Sequence, residues 1–132
     1  MRLITRESDY GIAALVALAR RKGRTASAAE LSKELRIPGP FLRRILQRLG
    51  RQGIICSRKG IGGGFALARD SKDILVGDIM AILQGPVRLS DCDLRESICA
   101  MRSRCVLRRE LKKIEGRLVS ELMRISIALL AG

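Results

Sequence analysis

Leu42, Ile45, Leu46 and Leu49 fall at i, i+3, i+4 and i+7, one inward stripe, while Arg43, Arg44, Gln47, Arg48 and Arg51 occupy the other side. The spacing predicts a helix to Arg51 that opens near Pro40, where a missing N–H does no harm, with Gly53 as its cap. Two helices precede it. Tyr10 to Arg20 is rich in Ala and Leu and stops before Gly23. Ser27-Ala28-Ala29-Glu30 is a capping-box sequence that opens a helix from Ala28 to about Arg36, with Leu31 and Leu35 inward. Ile37-Pro38-Gly39-Pro40 is the tight break between the second and third helices.

Beyond the third helix the period changes. Ile54 to Ser57 and Phe65 to Ala68 read as paired strands, joined by Arg58-Lys59-Gly60-Ile61-Gly62-Gly63-Gly64. Asp70 to Asp73 is a turn, and Val76 to Gln84 a short helix burying Ile79, Met80 and Leu83, ended by Gly85-Pro86. From Arg88 to Arg104 the pattern is broken. Val106 to Leu130 then carries Leu107, Leu111, Ile114, Leu118, Leu122, Ile125 and Leu129 at three- and four-residue steps, which predicts one long helix. Such a stripe on a small domain needs a partner, and homodimerisation is the direct reading. Gly116 marks a close helix approach or a tolerated defect. Cys56, within the first strand, reads as a small buried core residue.

The fold class is therefore mainly α: a winged helix-turn-helix with a two-stranded wing and a long C-terminal dimerisation helix. Residues 1–85 form the DNA-binding part, 86–105 a cysteine-rich loop and 106–132 the dimerisation helix.

Charge sharpens the picture. The chain has 132 residues, a formal net charge of +13 and no histidine. A polyanionic partner is implied, nucleic acid or an anionic surface. Without histidine the commonest general base is missing, so an enzyme acting on a small-molecule substrate is not expected. No apolar run is long enough to span a bilayer and no signal peptide is visible, so a cytoplasmic chain without membrane attachment is expected.

On the third helix, Arg43, Arg44, Gln47, Arg48 and Arg51 are candidates for base or phosphate contact. An ordinary solvated basic face is the rival, but Gln47 is suited to reading adenine and no acidic residue neutralises that face. In the hairpin, Arg58 and Lys59 supply charge, and glycines such as Gly62 and Gly63 let the backbone approach phosphate or enter a narrow groove. A nucleotide-binding loop fits the glycines poorly, because no helix follows Gly64 and no Gly-Lys-Ser/Thr ending is present.

Cys92, Cys99 and Cys105 lie within fourteen residues, separated by six and five. Those gaps exceed the knuckles of structural zinc and differ from ferredoxin spacing. They suit a loop wrapped around an iron–sulfur cluster, with zinc, a thiol redox switch and no special role as the alternatives. The remaining ligand would be a carboxylate, a water or a small thiol.

Four stretches together resemble a family of small winged-helix regulators. That family includes the iron–sulfur-cluster assembly regulator, the nitric-oxide-sensitive repressor, rhizobial-type iron regulators and cysteine-metabolism repressors. The stretches are Met1-Arg2-Leu3 with Asp9-Tyr10; Ile37 through Leu49 leading to Gly53-Ile54-Ile55; the wing from Arg58 to Ala68; and the three-cysteine loop. The resemblance implies a homodimeric repressor of a palindromic operator in double-stranded DNA, responding to iron status, nitric oxide or redox stress. It implies a cluster on Cys92, Cys99 and Cys105, with 4Fe-4S preferred over 2Fe-2S. Ser8-Asp9-Tyr10 matches the nitric-oxide sensor's context, making Asp9 the candidate fourth ligand; otherwise Asp9 is a helix N-cap or a first-turn acid. Arg108 stands where the assembly regulator uses histidine, and Arg43 where it carries a base-selecting glutamate, so a different operator is implied. The alternative is a cluster-free, thiol-responsive winged-helix regulator.

Overall fold

The computed structural model describes residues 2–90 and 104–132. Its first helix, α1, runs Arg6–Arg20 and starts earlier than hydrophobic spacing indicates. The reason is a cap: Thr5 Oγ1 accepts from the Ser8 N–H at 3.2 Å, and Ser8 is fully buried beneath it. Helix α2 (Ala28–Leu35) is capped by Ser27, whose hydroxyl accepts from the Glu30 N–H at 3.0 Å. It ends at Arg36 in the left-handed conformation, and the chain turns through Pro38 into α3 (Gly39–Arg51). The inward stripe of α3 is as expected, with Leu42, Ile45, Leu46 and Leu49 all buried.

Strands β1 (Ile55–Arg58) and β2 (Gly64–Leu67) pair antiparallel, Ile55 opposite Leu67 and Arg58 opposite Gly64. Ala26 extends the ribbon by a bridge to Phe65. A short 3₁₀ turn, Ser71–Asp73, leads to α4 (Val76–Gln84), which buries Val76, Ile79, Met80 and Leu83. The main core gathers Leu15 and Leu18 of α1, the α3 stripe, and Ile79 and Leu83 of α4. At Gly11 a Cβ would lie 2.4 Å from Leu83 Cδ1, so α1 and α4 touch where α1 has no side chain.

The C-terminal segment departs from expectation. Instead of one helix to Leu130, α5 (Val106–Leu122) stops and α6 (Ile127–Ala131) begins after a short extended stretch. Backbone pairing explains the break. The Val76 N–H donates to the Ile125 carbonyl and the Ile127 N–H to the Ile74 carbonyl, both at 2.8 Å. Ser126 then caps α6, accepting from the Leu129 N–H at 3.0 Å. This turn seats Ile127, outside the anticipated stripe, wholly within the core, and leaves Leu129 66% exposed. Residues 127–131 thus pack with the N-terminal body, while α5 carries the exposed apolar positions Val106, Leu107, Ile114 and Val119. Among the described residues, a Cβ at Gly116 would meet nothing within 4 Å, so none of them approaches α5 closely there. Among the described residues no helix is long and apolar enough to cross a membrane.

Candidate nucleic-acid interface and cysteine segment

Helix α3 presents Arg43, Arg44, Gln47 and Arg51 to solvent. Phe41 organises part of that face: the Arg44 guanidinium lies 5.4 Å from its ring centroid, and Tyr10 meets the ring edge-on at 5.6 Å.

Arg48 behaves differently. Its Nη1 donates to Glu7 Oε2 at 2.9 Å and its Nη2 to the Ile82 carbonyl at 2.7 Å. The expectation that no acid neutralises this helix is corrected by Glu7, which reaches it from α1. Ile82 needs the donor because the residue four further on is Pro86, which has no N–H to continue α4. Arg48 therefore joins α1, α3 and the end of α4, and its guanidinium is turned toward the body rather than held out beside Arg43 and Gln47.

The wing stands next to the C-terminal half of α3. Leu46, Gln47, Gly50, Arg51, Ile55, Cys56, Ser57 and Phe65 line a groove of about 530 Å³ between them. Cys56 is exposed in this groove, not buried as expected, because the core covers only Ile55 of β1 and leaves Cys56, Ser57 and Arg58 outside it. Arg58 and Lys59 are exposed. Gly62, at φ +76°, has the left-handed backbone its turn requires, and a Cβ at Gly63 would meet the Arg58 carbonyl oxygen at 2.3 Å. Thr25, which carries no periodic signal, donates from Oγ1 to the Gly62 carbonyl at 2.6 Å.

Of the cysteine segment, Cys92 and Cys99 lie outside the described residues. Cys105 is half-buried and caps α5, its Sγ accepting from the Arg108 N–H at 3.4 Å. Asp9 does not cap α1, since Thr5 does; it is an exposed first-turn acid beside a hollow shared with Arg2, Arg6 and Tyr10. Among the described residues, no three His, Cys, Asp or Glu side chains gather to hold a metal. The chain entering the segment is anchored, because the Leu89 N–H donates to Glu115 Oε1 of α5 at 2.7 Å. Gln84 fastens the N-terminal arm nearby, accepting from the Thr5 N–H at 3.1 Å and donating to the Leu3 carbonyl at 2.9 Å.

A basic helix behind a tight turn, flanked by a glycine hairpin, defines a winged helix-turn-helix protein of the DNA-binding kind. The family model described as "Iron-dependent Transcriptional regulator" matches residues 4–132. The chain belongs to this family, Rrf2, and its role is regulatory rather than enzymatic. It is 32% identical over 91 residues to a helix-turn-helix transcriptional regulator of Aquifex aeolicus, covering 69% of this chain and 63% of that one. It is 29% identical over 126 residues to IscR of Photorhabdus laumondii, covering 94% and 76%. Its fold resembles CymR, the global cysteine regulator of B. subtilis, with TM-score 0.81 at 22% identity over 99% of this chain and 97% of that one.

Proposed function

We propose that this chain is a homodimeric, cytoplasmic, iron–sulfur-cluster-dependent repressor that reads a palindromic operator. The observation that carries the cluster reading is Cys105, a half-buried thiol at the N-terminus of α5 that accepts from the Arg108 N–H. Cys92, Cys99 and Cys105 would hold the cluster, with Asp9 of the partner subunit as the fourth ligand. The donor set fits: three thiols and a carboxylate suit iron, and a carboxylate leaves one iron open to exchange. When bound, the cluster supplies iron chemistry that responds to iron supply, oxidation or nitric oxide.

The exposed apolar positions of α5 support dimerisation through that helix, with Leu107 66% and Ile114 43% exposed. A two-fold dimer sets two α3 helices on successive major-groove faces. There Arg43, Arg44, Gln47 and Arg51 contact bases or flanking phosphates, while Arg58 and Lys59 contact phosphate beside the wing. Arg48 supports α3 from behind.

The decisive experiment is anaerobic reconstitution with iron and sulfide, iron quantification, and absorption and resonance spectroscopy, followed by operator titration of holo and apo protein. The reading expects about four irons per chain, in line with a four-iron cluster on three thiolates, and unequal affinities. Protein that stays colourless and iron-free defeats the cluster assignment in favour of thiol regulation. Equal affinities defeat the switch. An Asp9→Ala chain with an unaltered spectrum and unaltered cluster stability removes Asp9 as ligand.

A further inference from the structure

Ile61 stands fully exposed at the tip of the wing, and no described residue covers it. The turn beneath it is built with some care. The Gly63 N–H donates to the Gly60 carbonyl at 3.0 Å, and Thr25 Oγ1 clamps the Gly62 carbonyl. One layer down, Ala26 and Phe65 exchange backbone hydrogen bonds at 2.9 and 2.7 Å. At Gly64 a Cβ would lie 2.6 Å from the Ala26 oxygen, which leaves the hairpin little room to change shape. The second position of such a turn accepts most residues, and nothing in its geometry calls for an apolar one. An exposed isoleucine at this tip suits a contact outside the chain.

We propose that Ile61 is an apolar wedge that enters the DNA minor groove beside each half-site and selects flexible pyrimidine–purine steps there. The inference rests on the operator-binding reading and adds to it a residue that sets flanking-sequence preference. Arg58 and Lys59 draw the tip to the phosphates, and the glycines on either side of Ile61 let the backbone follow it into a narrow groove. The β-branched side chain is stiff at χ1, so little rotamer freedom is lost on insertion. Apolar side chains pressed onto a base step unstack it partly, and TA and CA steps yield most readily. The wing shares its groove with Gln47 and Arg51 of α3. A duplex offers a groove to both elements at once, which a flat anionic surface does not.

The test begins with selection of an operator from random duplexes by the full chain. Flanking steps at the wing are then changed from TA to G·C-rich sequence, with 2-aminopurine at the same step. Wild-type protein should prefer the TA flank about tenfold, the effect of burying most of an isoleucine side chain, and 2-aminopurine fluorescence should rise on binding. Ile61→Ala should lose both the preference and the fluorescence rise, keeping its circular dichroism and its salt dependence. An Ile61→Ala chain that binds the operator with the wild-type flank preference overturns the wedge while leaving operator binding intact. A wild-type chain that selects no duplex overturns the operator-binding reading, and the wedge with it.

Discussion

Replacing Arg48 by methionine separates two roles that a basic helix face confounds. Methionine keeps most of the aliphatic stem and removes only the guanidinium. The lost bond to the Ile82 carbonyl is charge-assisted and contributes about 1.5–3 kcal/mol. Pro86 can offer α4 no replacement N–H, but this bond is only part-buried, so water offsets some of the loss and the low end of that range applies. The pair with Glu7 adds less: both side chains are 42% exposed, and such pairs contribute about 0.2–1 kcal/mol. A total near 2 kcal/mol corresponds to a fall in Tm of about 8 °C for a chain of this size. The measurement is thermal and urea unfolding of wild type and Arg48→Met at one fixed protein concentration, with operator titrations from low to moderate salt. Were Arg48 a phosphate anchor, the salt slope would flatten by about one and stability would hold. Loss of stability with an unchanged slope is the expected result. A Tm within about 1 °C of wild type, a shift worth only a few tenths of a kcal/mol, together with a flattened slope would refute the reasoning.

Four further outcomes follow from the same geometry. Ile127→Ala should cost about 2–5 kcal/mol in urea unfolding, whereas Leu129→Ala, at a position 66% exposed, should stay within about 0.5 kcal/mol; the reverse order would restore a continuous helix to Leu130. Gly64→Ala should destabilise by about 1–3 kcal/mol and weaken operator binding, since its φ is +143° and its new methyl would meet the Ala26 backbone; unchanged binding and stability would mean the wing rearranges freely. Gln47→Ala should relax preference at one base pair by about 1–3 kcal/mol, while Arg58→Ala should weaken all duplexes alike and flatten the salt slope by about one. Leu107→Ser paired with Ile114→Ser should shift sedimentation toward monomer without loss of helicity, and a persistent dimer would point to another interface.

Local pattern carried the DNA-binding half of this chain. The α3 stripe, the Ser27 cap, the Pro38–Pro40 turn and the glycine hairpin each depend on neighbours within a few residues, so spacing and residue type sufficed. The miss at α1 has the same local character: Thr5 and Ser8 form an N-cap pair ahead of the first apolar residues, and hydrophobic spacing alone cannot register it. Cys56 was misjudged for a related reason. Two isoleucines lead into it and suggest burial, yet in β1 the core covers Ile55 alone.

The other misses depend on bonds that span the chain. Leu75 bridges Ser126, and that pairing turns the backbone between α5 and α6 although the residues themselves continue a helical stripe. Arg48 shows the rule most clearly. Along α3 it is one more arginine on a basic face, indistinguishable by period from Arg44. Its role is set by Pro86, thirty-eight positions away in sequence, which leaves Ile82 with an unanswered carbonyl, and by Glu7, which α1 brings alongside. The Pro86 that ends α4 thereby also determines how α3 is held. Gln84, two residues beyond that carbonyl, grips Leu3 and Thr5 at the approach to Asp9. The end of α4, the start of α1 and the back of α3 are thus joined by direct hydrogen bonds at the point where the chain leaves for its cysteines.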